Sequence, residues 1–307
     1  MRSLSSPRRR GRRGFVLVSV LMLGVLLISC ATAFTWFVRT QVRGVLRERV
    51  ALTNRSMAQL LVNAAISLVE EASGRTKGDS PLQEWFKPFL VPADDLGLWA
   101  VQVLPLDDKL PIRNLFLPDG NTLRMELRGS WEDMWDALGH RELAVPVLDF
   151  LDKDEKGRVG GLEREEFLNR PLQDLSELLV MKEVTPEILH GGAGRPGLVG
   201  LCTLWSDGKV NLNVASPEVL KLLPGLDDVQ VSRLVAYRAE RTLGSFEDLQ
   251  AVPGLSPKTA TQLTNLATFK SRYFSLRIEF LDESPGGTAF NIIFDRTAKK
   301  IVRWEES

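Results

Sequence analysis

Cysteine, histidine and tyrosine are scarce in this chain of 307 residues, with two of each. Cys30 lies inside a long apolar run and Cys202 far downstream, so no internal disulfide is expected even in an oxidising compartment. His140 and His190 have no Cys or Asp spaced to complete a zinc site, and both are expected on the surface. There is no Gly-x-x-x-x-Gly-Lys phosphate loop and no nucleophile elbow. A net charge is also missing, since Lys+Arg and Asp+Glu number 39 each. Six of the basic residues (Arg2, Arg8, Arg9, Arg10, Arg12, Arg13) crowd the first thirteen positions, which leaves the remainder at −6 and without the electrostatic footprint of a nucleic-acid binder.

Charge is absent altogether from Phe15 to Val38, a run of 24 residues that ends at Arg39. At about 1.5 Å per residue a helix of that length spans roughly 36 Å, enough to cross a hydrocarbon core of about 30 Å. The six arginines ahead of it hold the N-terminus in the cytoplasm, so the bulk of the chain is delivered across a membrane. The same stretch admits other processing: Leu27-Ile28-Ser29-Cys30 fits a lipoprotein box, Ala31-Thr32-Ala33 a signal-peptidase site, and Arg12-Arg13-Gly14-Phe15 has a twin-arginine look.

The helical pattern continues past the apolar run. From Arg39 to Ala72 there is no Pro, only Gly44 interrupts good helix formers, and Leu52, Leu60, Leu61, Ala64, Ala65, Leu68 and Val69 recur near helical spacing. One helix is predicted from Phe15 to Ala72, stopping near Gly74, with an amphipathic second half that needs a sheet to cover one face. Residues 75–97 read as a linker with a packable Trp85-Phe86, and Leu98–Leu104 as a first strand followed by a turn at Asp107-Asp108-Lys109. At the C-terminus Phe274, Leu276, Ile278 and Phe280 alternate with polar residues. Pro285-Gly286-Gly287 reads as a turn, with further strands over 288–295 and 299–304. An antiparallel sheet is thus split by some 160 mainly helical residues.

Within those residues Pro217–Leu226 matches Phe246–Leu255 at an offset of 29. Each copy reads helix, Pro-Gly-Leu hairpin, helix, with Pro224-Gly225 and Pro253-Gly254 making the tight turns. Where a phosphate-binding hairpin has Gly-x-Gly, Asp227 and Ser256 replace the second glycine, and a carboxylate there would repel a duplex. Upstream, Asp152, Asp154, Gly157, Val159 and Glu163 fall at positions 1, 3, 6, 8 and 12 of a twelve-residue calcium loop. Lys156 at position 5 cannot ligate, so another oxygen must serve; Asp149, Glu165 and Glu166 are within chain reach. The other reading of these residues is a solvated acidic turn.

Several of these features together resemble the K-type minor pseudopilin of type II secretion. The basic leader ending in Gly14 before Phe15 resembles a prepilin leader, and Ser19 stands where most pilins carry Glu as the fifth mature residue, a departure typical of the K-type member. Asp149-Phe150-Leu151-Asp152-Lys153-Asp154 with Gly160-Gly161-Leu162-Glu163 resembles its calcium segment, with Phe150 in place of Trp. The later Phe167, Pro171 and Ser176-Glu177-Leu178-Leu179 also match that family. The resemblance implies an α+β fold: a type IV pilin-like long N-terminal helix packed on an antiparallel sheet, with a large inserted all-α domain containing tandem helix-hairpin-helix repeats.

It also implies the following organisation: leader 1–14, transmembrane half-helix 15–38, periplasmic half-helix 39–74, linker and first strand 75–110, helical insert 111–268, and C-terminal strands 269–307. The insert would hold the calcium segment at 149–166 and the hairpins at 217–266. Prepilin peptidase would cut between Gly14 and Phe15, Phe15 would be N-methylated, and Ca2+ would be held by Asp149, Asp152, Asp154, Glu163 and Glu166. The expected protein is a non-enzymatic, single-pass subunit of a bacterial inner membrane. It would join I-type and J-type minor pseudopilins at the pseudopilus tip, and no nucleic-acid partner is expected. Asn211-Leu212-Asn213-Val214-Ala215-Ser216 followed by paired hairpins supports an alternative, a membrane-anchored DNA-binding protein of competence type.

Overall fold

The computed structural model describes residues 12–93, 97–192, 194–281 and 288–307, with side chains from Val16 onward. The expected Pro285-Gly286-Gly287 turn and most of the leader lie outside the described residues. The described residues form two compact units, divided between Gln59 and Leu60.

In the first unit the backbone is helical from Arg12, as part of α1 (Arg12–Arg75). Of its large apolar side chains, Leu17, Leu21, Ile28, Phe34 and Trp36 are each more than half exposed. An 18-residue window in this helix reaches a mean hydropathy of 2.5 with none of it buried. Unburied apolar surface on that scale is stable in lipid rather than in water, so this helix is a candidate membrane anchor. The helix ends at Arg75, next to Gly74 where the stop was expected, with Gly74 itself helical and Thr76 N still donating to Ala72 O at 3.1 Å. A single glycine costs only about 1 kcal/mol against Ala, which the preceding turns easily carry.

In the second unit five strands among the described residues form one sheet, antiparallel throughout. In order across the sheet they are β1 (Phe89–Pro92), β2 (Leu98–Pro105), β9 (Tyr273–Leu281), β10 (Ala289–Asp295) and β11 (Lys300–Glu306). β1 falls inside the stretch read as a linker. Four residues are too few to show an alternation, and Pro92 is tolerated because β1 is an edge. The inward face of β9 is the one the alternation indicated, with Phe274, Leu276 and Ile278 buried and Phe280 half-buried, and Val101 and Val103 of β2 and Phe290, Ile292 and Phe294 of β10 are buried beside them. Leu61, Val62, Ala65 and Val69 form the buried stripe of α1 in this unit, and Trp85 packs edge-on to Phe274 at 5.6 Å. Polar contacts add to this: Arg296 Nη1 donates to Ser73 Oγ at 3.2 Å, and Lys270 Nζ to Ser73 O at 3.0 Å.

Between β2 and β9 lies the insert, built from α2 (Met125–Ala137), α3 (Ala144–Leu151), α4 (Pro186–His190), α5 (Leu198–Leu201) and α6 (Pro217–Lys221). It continues with α7 (Asp228–Glu240), α8 (Phe246–Gln250) and α9 (Pro257–Leu263). Two-residue pairings join its loops, of β3 (Leu110–Pro111) with β6 (Cys202–Thr203), of β4 (Gly191–Gly192) with β5 (Arg195–Pro196) and of β7 (Val210–Asn211) with β8 (Ala267–Thr268). One apolar core runs through it from Leu110 to Phe269. Trp131 and Trp135 are central to that core, stacked edge to face at 5.7 Å. Cys202 is buried in it, and burial pushes its thiol up to about 12. His190 is exposed and His140 lies on the surface against Glu142 at 3.2 Å, as their isolation in the sequence implied.

Candidate functional site

α3 ends in the acidic loop, and the last turn of that helix carries Asp149 to a position of zero exposure. Its carboxylate accepts from the backbone N of Arg158 (3.2 and 3.1 Å), from Leu162 N (2.9 Å) and from Arg158 Nη1 (2.8 Å). Asp152, 1% exposed, takes a second contact from the same Nη1 through its Oδ2. Burial pushes the Asp152 carboxyl up to about 6; the charges of Asp154 and Asp149 add to the rise, and Arg158 opposes it. Arg158 Nη2 donates to Asn121 O at 2.7 Å. Gly161 is required by the close approach of Asp149: a Cβ there would lie 1.9 Å from Asp149 Oδ2. Gly160 sits at φ +80°, where a side chain would be strained.

Asp154 accepts from Lys156 N at 2.9 Å in a local turn. Glu163 accepts from Asn169 Nδ2 at 3.3 Å through Oε1. Glu165 and Glu166 are exposed. Among the described residues, no three His, Cys, Asp or Glu side chains stand close enough together to hold a metal ion. In this loop and just after it, the buried oxygens Asp152 Oδ1, Glu163 Oε2 and Asn169 Oδ1 nevertheless lack any hydrogen-bond partner. Orphaned hard oxygens in an acidic loop are the donor chemistry a calcium ion takes, so in composition the loop fits the ion. Arg158, Asn121 and Asn169 were not singled out by the sequence. Asn121 and Asn169 lie outside the twelve-residue pattern, and position 7 of such a loop ordinarily acts through its carbonyl.

The two hairpins have the turns expected of them. Gly225 and Gly254 adopt φ +78° and +77°, the region that favours glycine. Each hairpin glycine is covered by the second helix of the other copy. A Cβ on Gly225 would lie 2.7 Å from Gln262 on α9, and one on Gly254 would lie 1.6 Å from Arg233 on α7. Gln262 and Arg233 are related by the same offset of 29, so the copies clasp each other reciprocally. Asp227 and Ser256, which replace the second glycine, are N-caps: Asp227 accepts from Gln230 N at 2.8 Å and Ser256 from Thr259 N at 3.1 Å. These caps occupy helix N–H groups that would otherwise be free to hold a phosphate.

The Asn211-Leu212-Asn213 motif is buried and internal. Asn213 donates to Leu243 O at 2.8 Å and accepts from Leu243 N at 2.9 Å, clipping the link between the copies. Asn211 donates to Ser271 Oγ at 2.9 Å. Ser271 N in turn donates to Asp79 Oδ2 at 2.6 Å, and Arg296 grips Asp79 through both ends of its fork, at 3.1 and 3.0 Å. Asp107, read in the sequence as part of an open turn, is fully buried; its Oδ2 accepts from Arg272 N (2.8 Å) and Tyr273 N (3.0 Å). Burial pushes the Asp107 carboxyl up to about 7, with the charge of Asp207 adding to the rise. This network joins insert to sheet, and both lie in the second compact unit.

Residues 206–268 match a protein family described as the helix-hairpin-helix motif. No curated protein matches the chain in sequence. Among solved structures, the fold is similar to a chain in the crystal structure of the GspK-GspI-GspJ complex from the type 2 secretion system of enterotoxigenic Escherichia coli. The TM-score is 0.61 at 16% identity, over 87% of this chain and 99% of that chain. This chain therefore has the fold of that protein, and the sheet and the insert are both part of the likeness.

Proposed function

We propose that the chain is a K-type minor pseudopilin of a bacterial type II secretion system. The observation that carries this reading is a pilin-like sheet split by a helical insert, a fold similar to that of a chain in the GspK-GspI-GspJ complex, in a chain that also carries an unburied apolar helix. On this reading the helix is an inner-membrane anchor and the second unit is periplasmic. Prepilin peptidase cuts between Gly14 and Phe15, and Phe15 is methylated. The partners are I-type and J-type minor pseudopilins, and the role is structural rather than enzymatic.

Position 19 supports a place at the tip. A fibre grows by burying stem helices side by side, with a carboxylate near the start of each helix meeting the N-terminal ammonium of a neighbour. A subunit with Ser19 offers no such carboxylate and suits the end of the stack. The paired hairpins serve as an internal packing module, a role supported by their reciprocal clasp and by the caps at Asp227 and Ser256. Asp149, Asp152, Asp154, Glu163 and Glu166 are the proposed calcium ligands, a set supported by the orphaned oxygens of Asp152 and Glu163. When bound, the ion supplies divalent charge that cross-links the end of α3 to the segment around Glu163.

Deleting the gene in its host is expected to abolish pseudopilus assembly and secretion, with the wild-type chain restoring both. Ser19→Glu is expected to restore them poorly. Normal secretion without the chain contradicts the proposal.

A further inference from the structure

Arg158 occupies the seventh position of the acidic loop, where a calcium loop uses the backbone carbonyl and asks nothing of the side chain. Here that side chain turns inward. One nitrogen, Nη1, serves Asp149 at 2.8 Å and Asp152 together, and only a quarter of the side chain is exposed. Two neighbouring carboxylates at 0% and 1% exposure would repel each other and lose their hydration without a cation between them. The guanidinium supplies that cation, but incompletely. It carries a single charge and donates in one plane, and Asp152 Oδ1 and Glu163 Oε2 remain without donors.

We infer that Arg158 is a resident cation which a divalent ion must displace, so that this one residue sets the affinity of the loop for calcium. The inference rests on the calcium reading given above. The displaced side chain has anchors that do not involve the carboxylates: Nη2 already holds Asn121 O at 2.7 Å, and the guanidinium carbon lies 5.3 Å from the centre of the Phe116 ring. Arg158 therefore keeps the metal-free loop folded at the cost of weaker ion binding. A chain lacking it would bind the ion more tightly and depend on it for stability.

The test uses the full-length protein in detergent, stripped with EDTA and titrated with calcium chloride by calorimetry, with thermal melts in parallel. Arg158→Gln is expected to bind calcium at least about tenfold more tightly than wild type, because a competing charge within contact distance has been removed. Its metal-free form should melt lower, and calcium should restore it. Arg158→Lys keeps a charge without the fork and should fall between the two in affinity. Equal or weaker binding by Arg158→Gln overturns the exchange and leaves the calcium reading standing. If Arg158→Gln does not fold, binding by Arg158→Lys no tighter than wild type overturns it equally. No calcium uptake by wild type or either variant overturns the calcium reading, and the exchange with it.

Discussion

Asp79, Asp107 and Asp295 at the root of the sheet are as hidden from water as Asp149 and Asp152 in the acidic loop, yet the two groups are held differently. At the root every carboxylate oxygen has a donor. Asp295 is gripped by Arg272 and by Ala298 N, Asp79 by Arg296 and Ser271 N, and Asp107 by three backbone N–H groups from two distant segments. In the loop a single guanidinium serves two carboxylates, and oxygens are left over. Buried charge can thus serve two ends in one unit. Where every oxygen finds a donor it locks segments together; where donors fall short, oxygens are left open to the ion proposed above.

The contrast predicts unequal costs. The largest is expected from Asp79→Ala, which strands the Arg296 fork and Ser271 N and should cost about 3–5 kcal/mol in denaturant unfolding of the full-length protein. The matched Asp152→Ala should cost only about 1 kcal/mol, since Arg158 keeps Asp149 and one of the removed oxygens was already unpaired. Equal costs would erase the distinction between the two clusters.

A smaller effect sharpens the same contrast through pH. Asp107 rises from 3.8 to about 7 on folding, so between those values the folded chain binds the proton that the unfolded chain has released. Its contribution to stability is therefore present below about pH 4 and is lost as pH rises to about 7. Asp107→Asn keeps an acceptor for Arg272 N and Tyr273 N but does not titrate, and should flatten that part of the thermal-melt profile. An unchanged slope would show that Asp107 stays ionised in both states.

What the sequence disclosed was governed by local physics. The hairpins were legible because Pro-Gly turn chemistry and the offset of 29 lie within short windows, and β9 because its apolar alternation runs from Phe274 to Phe280. β1 was not, being four residues next to prolines. Asp107 looked like an open turn because its donors, Arg272 and Tyr273, lie more than 160 residues downstream. Spacing placed the acidic residues in one loop, but the inward turn of Arg158 depends on Asn121, 37 residues upstream and outside any motif. The Asn-Leu-Asn segment, which suggested a DNA-binding module, proved to be a buried clip, and only its distant partners Leu243 and Ser271 reveal that.

The account depends above all on the apolar helix being retained in the mature protein, beginning at Phe15. Mass spectrometry of the N-terminal peptide of the chain isolated from its native membrane tests this directly. The predicted result is a peptide that starts at N-methylated Phe15, with residues 1–14 removed. A mature chain that begins at a lipidated Cys30, or after Ala33, would contradict it.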